Sequence, residues 1–457
     1  MIHFNVDEIV KATEGKLAHT GETAVITGVC TDSRKIKPGD LFIPLIGENF
    51  DGHDYIKSAF EKGAAASLTQ KETVHFPGKT VIVVNDTLIA LQNLAALYRS
   101  SFRIPFIGIT GSVGKTSTKE MVACVLAERY NVLKNEGNLN NEIGVPLTIF
   151  RLEPEHEVAV VEMGMSGFGE IRALTNIVRP RVGIITNIGI SHIEKLGSRQ
   201  NILKAKLELL EGLQSDGLLI LNGDDVMLSG AKELLNCRTV SYGLEEGVDY
   251  QAYNIRSRGE YGVDFNVMVQ GAEYSVQLPA PGVHNVYNAL AAIAAGHELG
   301  VPMRDLQAGV SHFSAGKMRL NIIKTNGMII INDAYNASPQ SMKAALDVLS
   351  ELGSSRRIAV LGDMLELGDW SERAHIETGI QAAKKEIDYI ITVGKEAAHI
   401  IKGAKDSGFD PKRTAQFTGN SEVIEYLRGL LRQGDAILVK GSRGMMMEQI
   451  VQALAEE

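Results

Sequence analysis

The stretch Ile109–Lys119 reads ITGSVGKTSTK, and it limits what this chain can fold into more than any other segment. An apolar run, Phe106-Ile107-Gly108-Ile109, leads into a glycine-bearing turn, and Lys115-Thr116 open a helical stretch. A strand, a tight turn and a helix in that order make a phosphate-binding loop, formed here by Thr110, Gly111, Ser112, Val113, Gly114, Lys115 and Thr116. The glycines let backbone amides approach phosphate oxygens. Lys115 adds a point charge for the outer phosphates, and the Thr116 hydroxyl can reach Mg²⁺. The common spacing G-x-x-x-x-G-K-[ST] would need glycine at position 109, where this chain has isoleucine. The loop is the tighter T-G-x-x-G-K-T, which argues against a switch GTPase or a motor.

A chain of 457 residues has room for two to four domains. Its net charge of −9, without a long basic run, disfavours nucleic-acid binding. Cys30, Cys124 and Cys237 lie far apart, with neither metal-ligand spacing nor a disulfide framework, so a reducing, cytoplasmic setting is expected. The N-terminus lacks a signal-type apolar core, and no apolar run approaches a membrane span.

Three α/β regions are expected, at 1–84, 85–314 and 315–457. The first has a helix at Val6–Glu14, a strand at Asp40–Ile46, a helix at His53–Lys62 and a strand at Thr80–Val84. The second alternates strands (Phe106–Thr110, Val158–Met163, Val182–Asn187, Gly217–Leu221) with helices (Lys115 to about Tyr130, and Arg199–Leu213). That is the pattern of a mostly parallel sheet with helices on both faces, a P-loop ATPase-like domain. Alternation at Val263, Phe265, Val267 and Val269 predicts an antiparallel ribbon turning at Gly271. An Ala-rich helix, His284–Leu299, closes the region. The third region is a Rossmann-like series with strands at Met328–Ile331, Ile358–Leu361, Ile387–Val393, Ala415–Thr418 and Ala436–Val439, ending in a helix at Met445–Ala455.

Ligands of open α/β sheets sit beyond the carboxyl ends of strands. The phosphate loop falls there, as do Glu162, which ends Val158-Ala159-Val160-Val161, and His192, which follows Val182–Ile188. Together they suit a Mg²⁺–nucleotide site. Taken singly, Glu162 also reads as a solvated strand end or an arginine partner, and His192 as a structural histidine. On a helix over Arg199–Leu213, Lys206 points into the apolar arc of Ile202, Leu203, Leu209, Leu210 and Leu213, while Lys204 points away. Lys206 can snorkel from that face. Alternatively it is desolvated, with a lowered pKa, and its neutral amine can add CO₂ to become a carbamate that helps hold Mg²⁺.

With these residues in place, the chain resembles the Mur ligases, which build the peptide of bacterial peptidoglycan. The resemblance implies an ATP-dependent amide ligation through an acyl phosphate, with Lys115, Glu162, His192 and Lys206 as catalytic groups. Thr116, Glu162, His192 and carbamoylated Lys206 would be ligands for Mg²⁺. His284-Asn285-Val286-Tyr287-Asn288-Ala289 is similar to the family's H-N-x-x-N-A motif on the adenine side, which assigns Asn285 to ATP. Arg319 and Asp333 resemble the residues that reach ATP from the C-terminal domain, although Ala315-Gly316-Lys317-Met318 is a longer approach to the arginine than is usual. Four stretches are similar to the last-acting member: 137–146, 333–339, 361–368 and 439–443. The D-N-P-R motif of the preceding ligase is absent.

The implied substrates are therefore ATP, a UDP-N-acetylmuramoyl-tripeptide and D-alanyl-D-alanine, with a monomeric enzyme acting in the cytoplasm. Substrate contacts are expected from Ser33, Arg34, Asn138, Asn140, Asn141, Tyr335, Asn336, Lys440, Ser442 and Arg443. Residue by residue, the asparagines also read as turn and capping residues, and 441–443 as an ordinary strand-to-helix turn. Two rivals stay open. One is another ATP-dependent amino-acid ligase, such as an earlier Mur enzyme or a folylpolyglutamate synthase. The other is a nucleotide-regulated binding protein without ligase chemistry.

Overall fold

A computed structural model describes residues 2–21, 25–71 and 76–456. The chain forms two compact units. One gathers Met1–Gly108, Tyr130–Gly183 and Glu208–Gly217; the other gathers Ile109–Arg129, Ile184–Leu207 and Leu218–Glu457.

In the first unit a five-stranded sheet runs in the order Lys16–His19, Thr80–Val83, Ala66–Thr69, Asp40–Phe42, Gly28–Cys30. Its first pair is antiparallel and the rest are parallel. The expected strand over Asp40–Ile46 stops at Phe42; Ile46–Gly47 pairs instead with Phe50–Asp51. Pro44 lies between the two and has no N–H for a ladder. Val132–Lys134 and Val158–Glu162 also pair in parallel in this unit. Arg99, held near a pKa of about 10 by burial, donates to the carbonyls of Val178 and Arg179 and so closes the end of the helix Glu170–Val178.

In the second unit the strands Leu218–Asn222, Arg238–Gly243 and Tyr250–Ser257 pair in parallel. The ribbon Val263–Val269 and Ala272–Leu278 then adds antiparallel, as the alternation predicts. Gln270 and Gly271, at φ 49° and 82°, make its two-residue turn. The helix Val283–Glu298 follows.

The C-terminal sheet shows why its strands are apolar throughout. Its order is Asn321–Thr325, Met328–Asp333, Asp435–Lys440, Arg356–Gly362, Tyr389–Val393, Thr414–Phe417, with only the first pair antiparallel. Alternate residues feed two separate cores. Ile331, Ala359, Leu361, Ile390 and Leu438 face one, while Ile330, Ile358, Val360, Ile391 and Val439 face the other. A parallel strand covered on both faces has no polar side, so periodicity alone does not reveal it.

Other expected elements are shorter. Arg199–Leu213 divides into Arg199–Leu207 and Leu209–Gly212; between them Glu208 keeps helical angles, and its buried carboxylate accepts from the amides of Gly169 and Arg172. Val182–Asn187 ends at Ile185. The last helix begins at Glu448 rather than Met445, after Met446 adopts a left-handed conformation.

Candidate active site

The phosphate loop is braced by the residues that follow the strand Val182–Ile185. The Ser112 amide donates to the Asn187 carbonyl at 3.1 Å, and the Val113 amide to Asn187 Oδ1 at 3.0 Å. The Val113 carbonyl accepts from Thr186 Oγ1 at 2.7 Å and from Asn187 Nδ2 at 2.8 Å. Ser112 and Val113 thus shape the loop with their own hydrogen bonds. Gly114, at φ 85°, turns the chain into the helix Lys115–Ala127, whose first turn is the ordinary place for an anion. Lys115 folds over the loop, its Nζ donating to the Gly111 carbonyl at 2.8 Å. Thr118 Oγ1 donates to Asn288, Asn288 Nδ2 to Asn285, and Asn285 Nδ2 to the Pro281 carbonyl, each within 3.0 Å. This chain ties the candidate adenine-side residue to the phosphate-loop helix.

Lys206 is 2% exposed, whereas Lys204 is open to solvent. The snorkelling reading of Lys206 therefore fails. Burial first, and then the Lys115 ammonium, push the Lys206 amine well below its ordinary pKa. His192 sits at φ 61°, with Nδ1 2.7 Å from Glu366 Oε2. Burial lowers its pKa, Glu366 opposes that shift, and Lys115 and Lys206 reinforce it. All these groups lie in the second unit.

Glu162, in the first unit, is the last residue of its strand and is buried rather than solvated. Asn140 Nδ2 donates to its Oε1 at 2.7 Å. One residue that sequence reasoning missed is Asn135. Its Oδ1 accepts the Glu162 amide at 2.9 Å, and its Nδ2 donates to the carbonyls of Glu162 at 2.9 Å and Leu139 at 2.8 Å. Only the strand register, with Lys134 beside Val160, brings the two together. Of the neighbouring asparagines, Asn141 caps the Gly144 amide, and Asn138 is exposed with its carbonyl accepting from Asn140. Ser33 and Arg34 belong to the same unit. The Ser33 carbonyl accepts from Lys62, and the exposed Arg34 forks onto Asp32 at 2.9 Å, holding that carboxyl down to about 2.

In the C-terminal part of the second unit, Asp333 and Lys440 lie opposite each other on parallel strands, with Nζ 2.6 Å from Oδ2. Lys440 also donates to the Asn336 carbonyl. The Arg319 guanidinium stacks over the Tyr335 ring at 4.1 Å. Ser442 Oγ accepts the Leu365 amide, and Arg443 pairs with Glu448. Because the last helix starts at Glu448, residues 441–443 do not form its first turn.

Three family models match in succession: "Mur ligase family, catalytic domain" at 25–99, "Mur ligase middle domain" at 109–296 and "Mur ligase, glutamate ligase domain" at 318–443. The UDP-N-acetylmuramoyl-tripeptide–D-alanyl-D-alanine ligase of Bacillus subtilis (strain 168) is 45% identical over 460 residues, covering 100% of this chain and 99% of its own. The chain belongs to the Mur ligase family. The fold agrees. A crystal structure of MurF from Acinetobacter baumannii superposes with a TM-score of 0.93 at 32% identity, with 100% of both chains covered. MurF ligase from Thermotoga maritima, in complex with ADP, does so at 0.84 and 26% identity, over 94% of this chain and 97% of that one. The three-domain Mur ligase architecture and the ATP-dependent amide-ligase class follow for this chain.

Proposed function

We propose that this Mur ligase joins D-alanyl-D-alanine to the terminal carboxyl of a UDP-N-acetylmuramoyl-tripeptide, at the expense of ATP, in peptidoglycan precursor synthesis. The observation that carries this is the 45% identity to the B. subtilis ligase over both full lengths. The tripeptide carboxylate attacks the γ-phosphorus of ATP, and ADP leaves. The Lys115 ammonium offsets charge on the group in transfer. The amine of D-alanyl-D-alanine then attacks the acyl phosphate, and inorganic phosphate leaves from the tetrahedral intermediate.

Among the described residues there is no cluster of three or more His, Cys, Asp or Glu side chains able to hold a metal. Mg²⁺ bound with a nucleotide needs no such cage, since phosphate oxygens and water complete its shell. Each group suits that role within its own unit: in the first, Glu162 is buried and oriented by Asn140, and in the second the Lys206 amine is desolvated. Thr116, Glu162, His192 and carbamoylated Lys206 would hold the ion, which supplies charge neutralisation at the phosphates. The carbamate forms when the neutral Lys206 amine attacks CO₂; an N–C bond is made and a proton passes to solvent.

Residues 1–84, with Ser33 and Arg34, serve the UDP-sugar, and residues 85–314, with Asn285, serve ATP. Asn138, Asn140 and Asn141 meet the peptide or sugar. Residues 315–457 reach ATP through Arg319 and Asp333 and take the incoming dipeptide with Tyr335, Asn336, Lys440, Ser442 and Arg443. No described helix is long and apolar enough to cross a membrane. Water-soluble substrates suit a cytoplasmic enzyme, and one chain carrying every named group suits a monomer.

The test is phosphate release with ATP, the UDP-tripeptide and a panel of amines. Release that depends on D-alanyl-D-alanine is expected, and it disappears in Lys115→Ala while the circular dichroism is unchanged. Dependence on free glutamate or a diamino acid instead, or amine-independent hydrolysis, would overturn the assignment.

A further inference from the structure

The segment that braces the phosphate loop does not end at Asn187. Four of the next residues meet C-terminal elements in turn. Gly189 lies against the side-chain amide of Gln340, which would have to shift to admit a β-carbon. Ile190 packs on the core cluster that contains Met342, Leu361 and Met364. His192 Nδ1 is 2.7 Å from Glu366 Oε2. Glu194 lies against Gly368, where an added β-carbon would stand 3.1 Å from Cγ. Residues 186–194 therefore touch the phosphate loop at one end and the 364–368 turn at the other.

The His192–Glu366 contact is built at a backbone cost. Both residues hold left-handed conformations, at φ 61° and 62°, where a residue with a β-carbon is strained. An ionised carboxylate only accepts, so with Oε2 within reach of Nδ1 a proton on Nδ1 is favoured and the imidazole lone pair is left to Nε2. A histidine that binds a metal through one nitrogen commonly donates the other N–H to a carboxylate, which sets its tautomer and ring orientation.

We infer that Glu366 is a positioning residue for His192: it reaches the ring from the 364–368 turn and presents Nε2 to the nucleotide-bound metal, linking that turn's placement to assembly of the site. The inference rests on the proposed ligase reading for its consequence in turnover, but its geometry is testable without metal or substrate. The first measurement is the imidazole tautomer in metal-free, ¹⁵N-histidine-labelled protein, with His192→Gln assigning the signal. Wild type is expected as the Nδ1–H form, and Glu366→Ala as a mixture or the Nε2–H form. The second is the Mg²⁺ dependence of ligation. Glu366→Gln is expected to raise the half-saturating Mg²⁺ concentration by roughly 10–100-fold, with a smaller loss of kcat at saturating Mg²⁺ and partial recovery in Glu366→Asp. An unchanged tautomer or an unchanged Mg²⁺ requirement in folded Glu366 variants overturns the inference. Absence of ligation in wild type refutes the ligase reading alone, because the tautomer measurement still decides the role of Glu366.

Discussion

The hydroxyl of Thr186 occupies the space that a β-carbon on Gly111 would need. The same hydroxyl donates to the Val113 carbonyl, and Gly111 sits at φ 148°. Gly111→Ala is therefore blocked by both space and conformation, and the loop must move to accept it. The strain is about 1–3 kcal/mol, which corresponds to an ATP affinity weakened by roughly 5- to 150-fold. Calorimetric titration with a non-hydrolysable ATP analogue measures it; undiminished affinity would mean that ATP binds elsewhere.

Lys206 carries the second expectation. Burying an amine away from water costs stability, so Lys206→Met should unfold at the same temperature as wild type or higher. Turnover should fall by orders of magnitude. Short carboxylic acids that replace the carbamate should restore part of the rate in Lys206→Ala, whereas alkylamines should not. Full activity of Lys206→Ala without any additive contradicts the metal role.

Asn135 and Asn141 should separate in a denaturant titration. Asn135→Ala strips partners from the Glu162 amide, the Glu162 carbonyl and the Leu139 carbonyl. Leaving buried backbone groups unpaired costs about 2–4 kcal/mol. Asn141→Ala removes one helix cap, worth about 1 kcal/mol. Denaturant titration of the two variants ranks them; equal losses would mean that the clamp on Glu162 is not formed.

Acid should weaken the fold through two histidines. Burial pushes His284 down to about 4 and lowers His375, whose Nε2 accepts the Met364 amide. Both stay neutral in the native state, while the unfolded chain binds protons near pH 6.5. The unfolded state gains protons first, so stability drops as pH falls from about 6.5 and levels off near 4. For His284 the loss is about 3 kcal/mol. Urea unfolding across that range should show the slope, and His284→Asn should flatten part of it; an unchanged profile would place His284 in water.

Local chemistry made much of the molecule legible. The phosphate loop, the strand before it and the ribbon turning at Gly271 all follow from contiguous residues with a fixed period. Lys206 was legible because helical spacing alone separates it from Lys204. Asn135 was not, because its significance lies in the register between two strands. Glu366 was not, because its partner His192 lies far away in sequence. Thr186 and Asn187 read as the continuation of a strand, and only packing shows them gripping the loop from the side.

The amino-acid order by itself determined which segments become strands and helices and which loop can hold phosphate, since those depend on residues within a turn or two of one another. The tertiary structure alone decided which polar side chains are stripped of water, which carboxylate faces which imidazole, and how far the Lys206 amine departs from ordinary lysine behaviour. Desolvation and charge act through space, and distance along the chain does not measure them.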